Sequence, residues 1–279
     1  MEDIRTAIID VLQEDHPMTV RQVFYQLVVR DVIDKTEEQY QGTVIRLLTE
    51  MRMDGTVPFA WIVDESRPRT GTRTFNSIAD AARDTAKFYR RSALKEAEDY
   101  IEIWSEKQAL SGIIWDEAST YDVPVLVSKG MPSLTQMYGT ACLVHRAAKA
   151  GKATYIYQFG DHDPSGVLIP ETLKRRLKQF CSDLRCPAPH VIRVSLTAEQ
   201  ISEFNLPTRP TKRVGNRHAN KFEGDSVELD ALPSAELRRL VRASIEEHIS
   251  PSRLRSLRAT EDSERDLLTE WARGIGGAA

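Results

Sequence analysis

One stretch constrains this chain more than any other: Thr154-Tyr155-Ile156-Tyr157-Gln158-Phe159, followed at once by Gly160-Asp161-His162-Asp163-Pro164-Ser165-Gly166. The first six residues are rich in β-branched and aromatic side chains, which fit a buried, pleated strand. Gly160 stops that strand, and Pro164 and Gly166 mark a turn. The turn carries two carboxylates one residue apart. On backbone that is still extended, Asp161 and Asp163 face the same way, with Cα atoms roughly 7 Å apart. Such a pair can converge on one ion, and a hard cation such as Mg²⁺ takes oxygen ligands and keeps several waters. The carboxyl ends of strands are also where α/β sheets bind ligands. The alternative for an Asp-x-Asp pair is a solvated loop of surface acids.

A second acid has the same setting. Tyr100-Ile101-Glu102-Ile103-Trp104 reads as a strand, and Ser105-Glu106-Lys107 leads into a helix. Further strands are expected at 124–127 and 190–196, with helices over about 133–150 and 165–180. Strand and helix alternate, so the fold class is α/β, with a mostly parallel sheet flanked by helices. A strand ending in Glu, then another ending in Asp-x-Asp, resembles the Toprim domain, through Glu106-Lys107 and Asp161-His162-Asp163-Pro164-Ser165-Gly166. That resemblance implies a Mg²⁺ site at Glu106, Asp161 and Asp163 serving phosphodiester chemistry.

The N-terminal part reads as three helices and a strand. Apolar positions at Ile4, Ala7, Ile8, Val11 and Leu12 form a helical stripe that His16-Pro17 breaks. Thr19 and Gln22 fit a capping box ahead of a second helix, and Thr36 and Gln39 fit another ahead of a third, which ends near Gly55. Phe59–Val63 reads as a strand. Together these suggest a winged helix-turn-helix whose third helix exposes Gln41, Arg46, Thr49 and Arg52 to a DNA groove; a protein-binding winged helix is the rival. On the second helix, Tyr25 lies roughly 130° from the middle of the apolar stripe, taking about 100° per residue. It is therefore not expected to be an ordinary core aromatic. Arg21, one turn earlier, shares its side. A surface tyrosine stacked on arginine and a nucleophile supported by a guanidinium both satisfy this spacing.

Thr19-Val20-Arg21-Gln22-Val23-Phe24-Tyr25-Gln26-Leu27-Val28 resembles the catalytic-tyrosine helix of the A subunit of DNA topoisomerase VI and of its relative, the meiotic double-strand-break transesterase. In that family a winged-helix domain with Arg-x-x-aromatic-Tyr precedes a Toprim domain, the order seen here. The resemblance covers roughly residues 1–245. It implies that Tyr25 is the nucleophile, with Arg21 as its motif arginine, and that it forms a covalent 5′-phosphotyrosyl break in double-stranded DNA. It also implies a homodimer in which one subunit's tyrosine faces the other's metal site. The chain is short for such a subunit and carries no Gly-rich phosphate loop. Strand passage would then need a separate ATPase of the topoisomerase B type, and a compact bacterial or mobile-element A-like protein is an alternative. A Toprim nuclease that uses water, or a DNA-binding protein without catalysis, are the other functional classes.

The domain boundaries expected are 1–66 for the winged helix, 67–97 for a basic linker, 98–245 for the Toprim domain and 246–279 for a C-terminal helix and tail. The formal net charge of −3 does not suit a nucleic-acid binder, but the cations are clustered. One run includes Arg67, Arg69, Arg73, Arg83, Lys87, Arg90, Arg91 and Lys95, and another holds Arg209, Lys212, Arg213, Arg217 and Lys221 with no acid inside it. Of these, Arg90, Arg91, Lys212, Arg213 and Arg217 join Arg46 and Arg52 as candidate phosphate contacts. Glu228 is read as a cap or surface acid, with an extra acid near the metal as the alternative. Cys142, Cys181 and Cys186 form no metal-ligand spacing and suggest a reducing compartment. No apolar run approaches membrane-spanning length and the first residues do not read as a signal peptide, so a cytoplasmic, nucleoid-associated protein without a membrane partner is expected.

Overall fold

In the computed structural model, which describes residues 2–63, 72–211, 222 and 224–276, the local signals place most elements where they are expected. Helix α1 spans Glu2–Glu14 and α2 spans Val20–Val29. The capping box is made: the Gln22 N–H donates to Thr19 Oγ1 at 3.2 Å, and the Thr19 N–H donates to Gln22 Oε1 at 2.8 Å. The third helix begins as π-helix over Gln39–Ile45 and continues as α3, Arg46–Met53. Gly55, at φ 84°, takes the left-handed conformation that ends it.

Phe59–Val63 is not a strand. Behind Pro58 the residues Phe59–Trp61 form a 3₁₀ turn, and Trp61 stacks on His16 with ring centroids 4.5 Å apart. Pairing is limited to a parallel bridge between Met18 and Ile62. An apolar pentapeptide can form a partly exposed turn as well as a strand, and periodicity cannot separate the two over so few residues. Among the described residues of this region there are helices and one bridge, but no β-hairpin wing.

Helix α4, Ile78–Phe88, and the short α5, Ala93–Glu96, occupy the expected linker. The sheet follows: β1 Tyr100–Ser105, β2 Val125–Val127, β3 Thr154–Phe159 and β4 His190–Ser195, all parallel, in the order β2-β1-β3-β4. Helices α6 Ser111–Thr120, α7 Leu134–Lys149 and α8 Leu168–Asp183 connect the strands, and α9 covers Ala198–Glu203. Alternation along the strands divides the core. Trp104, Ile156 and Val191 pack with Met137 and Val144 of α7 and Leu173 and Leu177 of α8. Ile101, Ile103, Tyr157 and Phe159 face the other way, into a cluster that also holds Ile8, Val23, Leu27, Leu47, Leu229, Leu232 and Leu237. The N-terminal helices and the sheet therefore share one core.

Helix α10, Ser234–Glu246, precedes α11, Pro251–Gly276, which lies along α4. The glycines from Gly274 onward suggest fraying, but α11 stays helical through Gly276. Glu261 of α11 is fully buried, and it receives Arg90 at 3.0 Å, Arg265 at 2.5 Å and Arg258. Arg91 pairs with Glu264 at 2.7 Å. Acids far along the chain thus neutralise part of the basic run. The three cysteines are free, and among the described residues no helix is long and apolar enough to cross a membrane.

Candidate active site

In the parallel pairing of β1 with β3, Ser105 lies opposite Phe159, so the residues just past the two strands emerge together. The Glu106 N–H donates to Phe159 O at 2.9 Å, and the Asp161 N–H donates to Glu106 Oε2 at 3.1 Å. Gly160 permits this approach. A Cβ there would overlap Gln158 Nε2 and stand 2.7 Å from Glu106 Oε2. The two aspartates have different partners. Asp161 Oδ1 accepts the Leu229 N–H at 2.9 Å, while Asp163 Oδ1 accepts those of Ser165 at 2.9 Å and Gly166 at 2.6 Å, shaping the turn into α8. Arg193 of β4 braces the turn from below, donating to Gly166 O at 2.6 Å and Asp161 O at 2.7 Å.

Burial, with the Asp161 carboxylate beside it, pushes the Glu106 carboxyl up to about 7. Burial also raises Asp161, against the pull of Lys107. The Lys107 ammonium lies 3.0 Å from Asp161 Oδ2 and 3.4 Å from both Glu228 Oε2 and Asp230 Oδ2. Glu228 also pairs with Arg209 at 2.9 Å and with Arg21 at 3.6 Å. It is 5% exposed, not a surface or capping acid, because the antiparallel bridge of Val227 to His162 draws residues 227–231 over the ends of the strands.

Tyr25 also departs from expectation. It is 2% exposed, and its ring meets Phe24 edge-on at 5.3 Å. The apolar stripe of α2 packs toward the N-terminal helices as expected, but the opposite side is covered by the turn Leu229–Ala231. The Glu228 carboxylate lies beside the Tyr25 phenol. Burial and then the Glu228 charge push the phenol well above its ordinary value, with Arg21 opposing. Arg21 lies over the ring of Tyr40 at 5.4 Å, and Lys35 lies 5.3 Å from the Tyr25 ring.

Sequence reasoning does not single out Lys107, Arg209, Asp230, Arg193 or Lys35 as site residues. A signal exists for two of them: Lys107 directly follows Glu106, and Asp230 repeats the acid-x-acid spacing with Glu228 inside an apolar segment. The candidate phosphate contacts lie elsewhere. Arg46 pairs with Glu50 at 2.7 Å, and Arg52 donates to Leu48 O at 3.0 Å on the same helix. Lys212, Arg213 and Arg217 lie outside the described residues.

Among the described residues no three His, Cys, Asp or Glu side chains form a ready-made metal-binding group. The donors at the strand ends nevertheless fit a hydrated hard cation. Glu106, Asp161 and Asp163 offer oxygen alone. Gln158, beside Gly160 and Glu106, has both side-chain polar atoms buried without a hydrogen-bond partner. No protein-family model, curated protein or solved structure matches the chain.

Proposed function

We propose that the protein is a Mg²⁺-dependent DNA transesterase of the topoisomerase VI A type, acting on double-stranded DNA as a homodimer. One observation carries this reading. Tyr25 and the acids Glu106 and Asp161, distant in sequence, meet through Glu228 and Lys107. A phenol, a set of cations able to hold a phosphate and an acid cluster are the parts that a tyrosine transesterase needs.

In this reaction the Tyr25 oxygen attacks a backbone phosphorus, the P–O3′ bond breaks, and the protein is joined to the 5′ end. Arg21 and Arg209, both about half exposed and directed at Glu228, are placed to take a phosphate entering beside the hydroxyl. Glu228, the acid beside the phenol, would accept its hydrogen and orient the oxygen for attack. Glu106, Asp161 and Asp163 would hold the Mg²⁺, which when bound neutralises charge on the phosphate and the leaving oxygen. Helix α3, with Arg46 and Arg52, would contact the duplex, with Lys212, Arg213 and Arg217 as further candidate phosphate contacts. Strand passage would require a separate ATPase subunit.

A hydrolytic Toprim nuclease is favoured by one observation, the burial of Tyr25 and its raised phenol, because a protonated phenol is a weak nucleophile. Tyr25→Phe separates the two readings. In a transesterase it abolishes the covalent adduct trapped by denaturation while leaving DNA binding nearly unchanged. In a nuclease it costs at most a hydrogen bond, roughly 1 kcal/mol or about fivefold in rate. Cleavage by the Phe variant at near wild-type rate with free 5′ phosphates would refute the transesterase reading.

A further inference from the structure

Gln158 is a buried carboxamide whose hydrogen-bonding capacity goes unused. It is 2% exposed, and among the described residues neither its Oε1 nor its Nε2 has a hydrogen-bond partner. The sheet explains why none arrives from the side. The register sets Gln158 of β3 between Trp104 of β1 and Arg193 of β4. Trp104 donates its indole N–H to Glu102 Oε2 at 2.8 Å, and Arg193 donates to the carbonyls of Asp161, Gly166 and Leu196. Both neighbours are therefore committed elsewhere. Buried polar groups are nearly always paired, and an ion or its water is one physical reason for an exception.

The open direction is toward the strand ends. A Cβ at Gly160 would lie 2.3 Å from Gln158 Nε2 and 2.7 Å from Glu106 Oε2. The two atoms are thus no farther apart than those distances together, close enough for one water to reach both. Gly160 keeps the space between them free of any side chain. We propose that Gln158 is a positioning residue of the cation site: its Nε2 donates to the Glu106 carboxylate, and its Oε1 accepts from a water of the cation that Glu106, Asp161 and Asp163 hold. The proposal rests on the cation site of the transesterase reading. The chemistry is complementary at both ends. An ionised carboxylate only accepts, whereas a carboxamide both donates and accepts without carrying charge. A hard cation keeps several waters, and each turns its oxygen to the metal and its hydrogens outward. Strand β3 then carries the support at Gln158 and, just past its end, the ligand at Asp161.

The test measures cation affinity and metal-free stability side by side on the full chain. Mn²⁺ is the probe, since it takes the carboxylate and water ligands that suit Mg²⁺ and its free ion is counted by electron spin resonance. Gln158→Met keeps the length of the side chain and removes both polar atoms. Loss of an outer partner of a metal ligand should weaken Mn²⁺ binding at least about tenfold. Urea unfolding of the same variant in EDTA should show a midpoint equal to or above that of wild type, because no hydrogen bond is lost. Gln158→Glu keeps the acceptor and adds a negative charge at the same point. It should bind Mn²⁺ at least as tightly as wild type, and its lower midpoint in EDTA at pH 8 should recover when Mn²⁺ is added. A Met variant that binds Mn²⁺ within about twofold of wild type, or a Glu variant that binds as weakly as the Met variant, overturns the proposal. So does a Met variant whose midpoint in EDTA falls along with its affinity, which would make Gln158 a support of the fold. Wild-type protein that binds no Mn²⁺, or binds it equally well after Glu106→Gln, refutes the cation site itself and this proposal with it. That failure is told apart because it appears with Gln158 intact.

Discussion

Glu106→Gln is expected to make the metal-free protein more stable at pH 8 while abolishing cleavage. The Glu106 carboxyl is raised from an ordinary 4.5 to about 7, first by burial and then by the Asp161 carboxylate. At about 1.4 kcal/mol per pH unit, that displacement is worth roughly 3 kcal/mol. The side chain keeps contact with solvent, which screens the interaction and reduces the expected effect to about 2 kcal/mol. The sign follows from proton linkage. A carboxyl with a raised folded value holds its proton more tightly when folded. Its stabilisation is complete below about 4.5, is lost as pH rises through about 7, and is absent above that. Glutamine keeps the shape, and its amide oxygen can still accept the Asp161 N–H, but it carries no titrating charge. Urea unfolding in EDTA at several pH values between 4.5 and 8 should give a variant-minus-wild-type difference near zero at the acid end, growing to about 2 kcal/mol at pH 8. A variant less stable than wild type at pH 8, or a difference that does not change with pH, would refute the reasoning. The same substitution should eliminate Mg²⁺-dependent adduct formation, since a site built for a cation is unstable without one.

Other outcomes follow from close contacts. Gly160→Ala should lower stability by about 1–3 kcal/mol and cleavage at least tenfold, because its methyl group displaces Gln158 and Glu106. Gly166→Ala should cost more than Gly160→Ala in the same urea assay, since its Cβ would overlap the Asp161 backbone carbonyl, which cannot swing aside. Lys107→Met leaves Asp161 and the 1%-exposed Asp230 without their shared ammonium and should cost about 3 kcal/mol at pH 8. That loss should shrink as pH falls and the two raised carboxyls take up protons, and a pH-independent loss would argue against a charge effect. Glu261→Gln should destabilise the protein by about 2 kcal/mol in thermal or urea melts, by breaking the cluster of Arg90, Arg258 and Arg265, with adduct formation unchanged.

What the sequence determined by itself was local. The capping box at Thr19, the strands ending before Glu106 and Gly160 and the helices between them follow from side-chain period, caps and breakers, which act over a few residues. The parallel order of those strands then brings Glu106 and Asp161 side by side, so the acids at the centre of the site are legible in the order of residues alone. Phe59–Val63 shows the limit even at short range, since an apolar pentapeptide suits a strand and a partly exposed turn equally. The tertiary structure alone decided what covers each surface. Tyr25 lies on the polar side of its helix, yet it is buried because residues 229–231, about 200 positions later, fold over it. Glu228 reads as a surface acid until Lys107, Arg209 and Arg21 arrive from three other parts of the chain. Arg90 and Arg91 read as a free basic run until α11 brings Glu261 and Glu264 beside them. Burial and charge pairing are set by partners distant in sequence, and no window along the chain contains both members of such a pair.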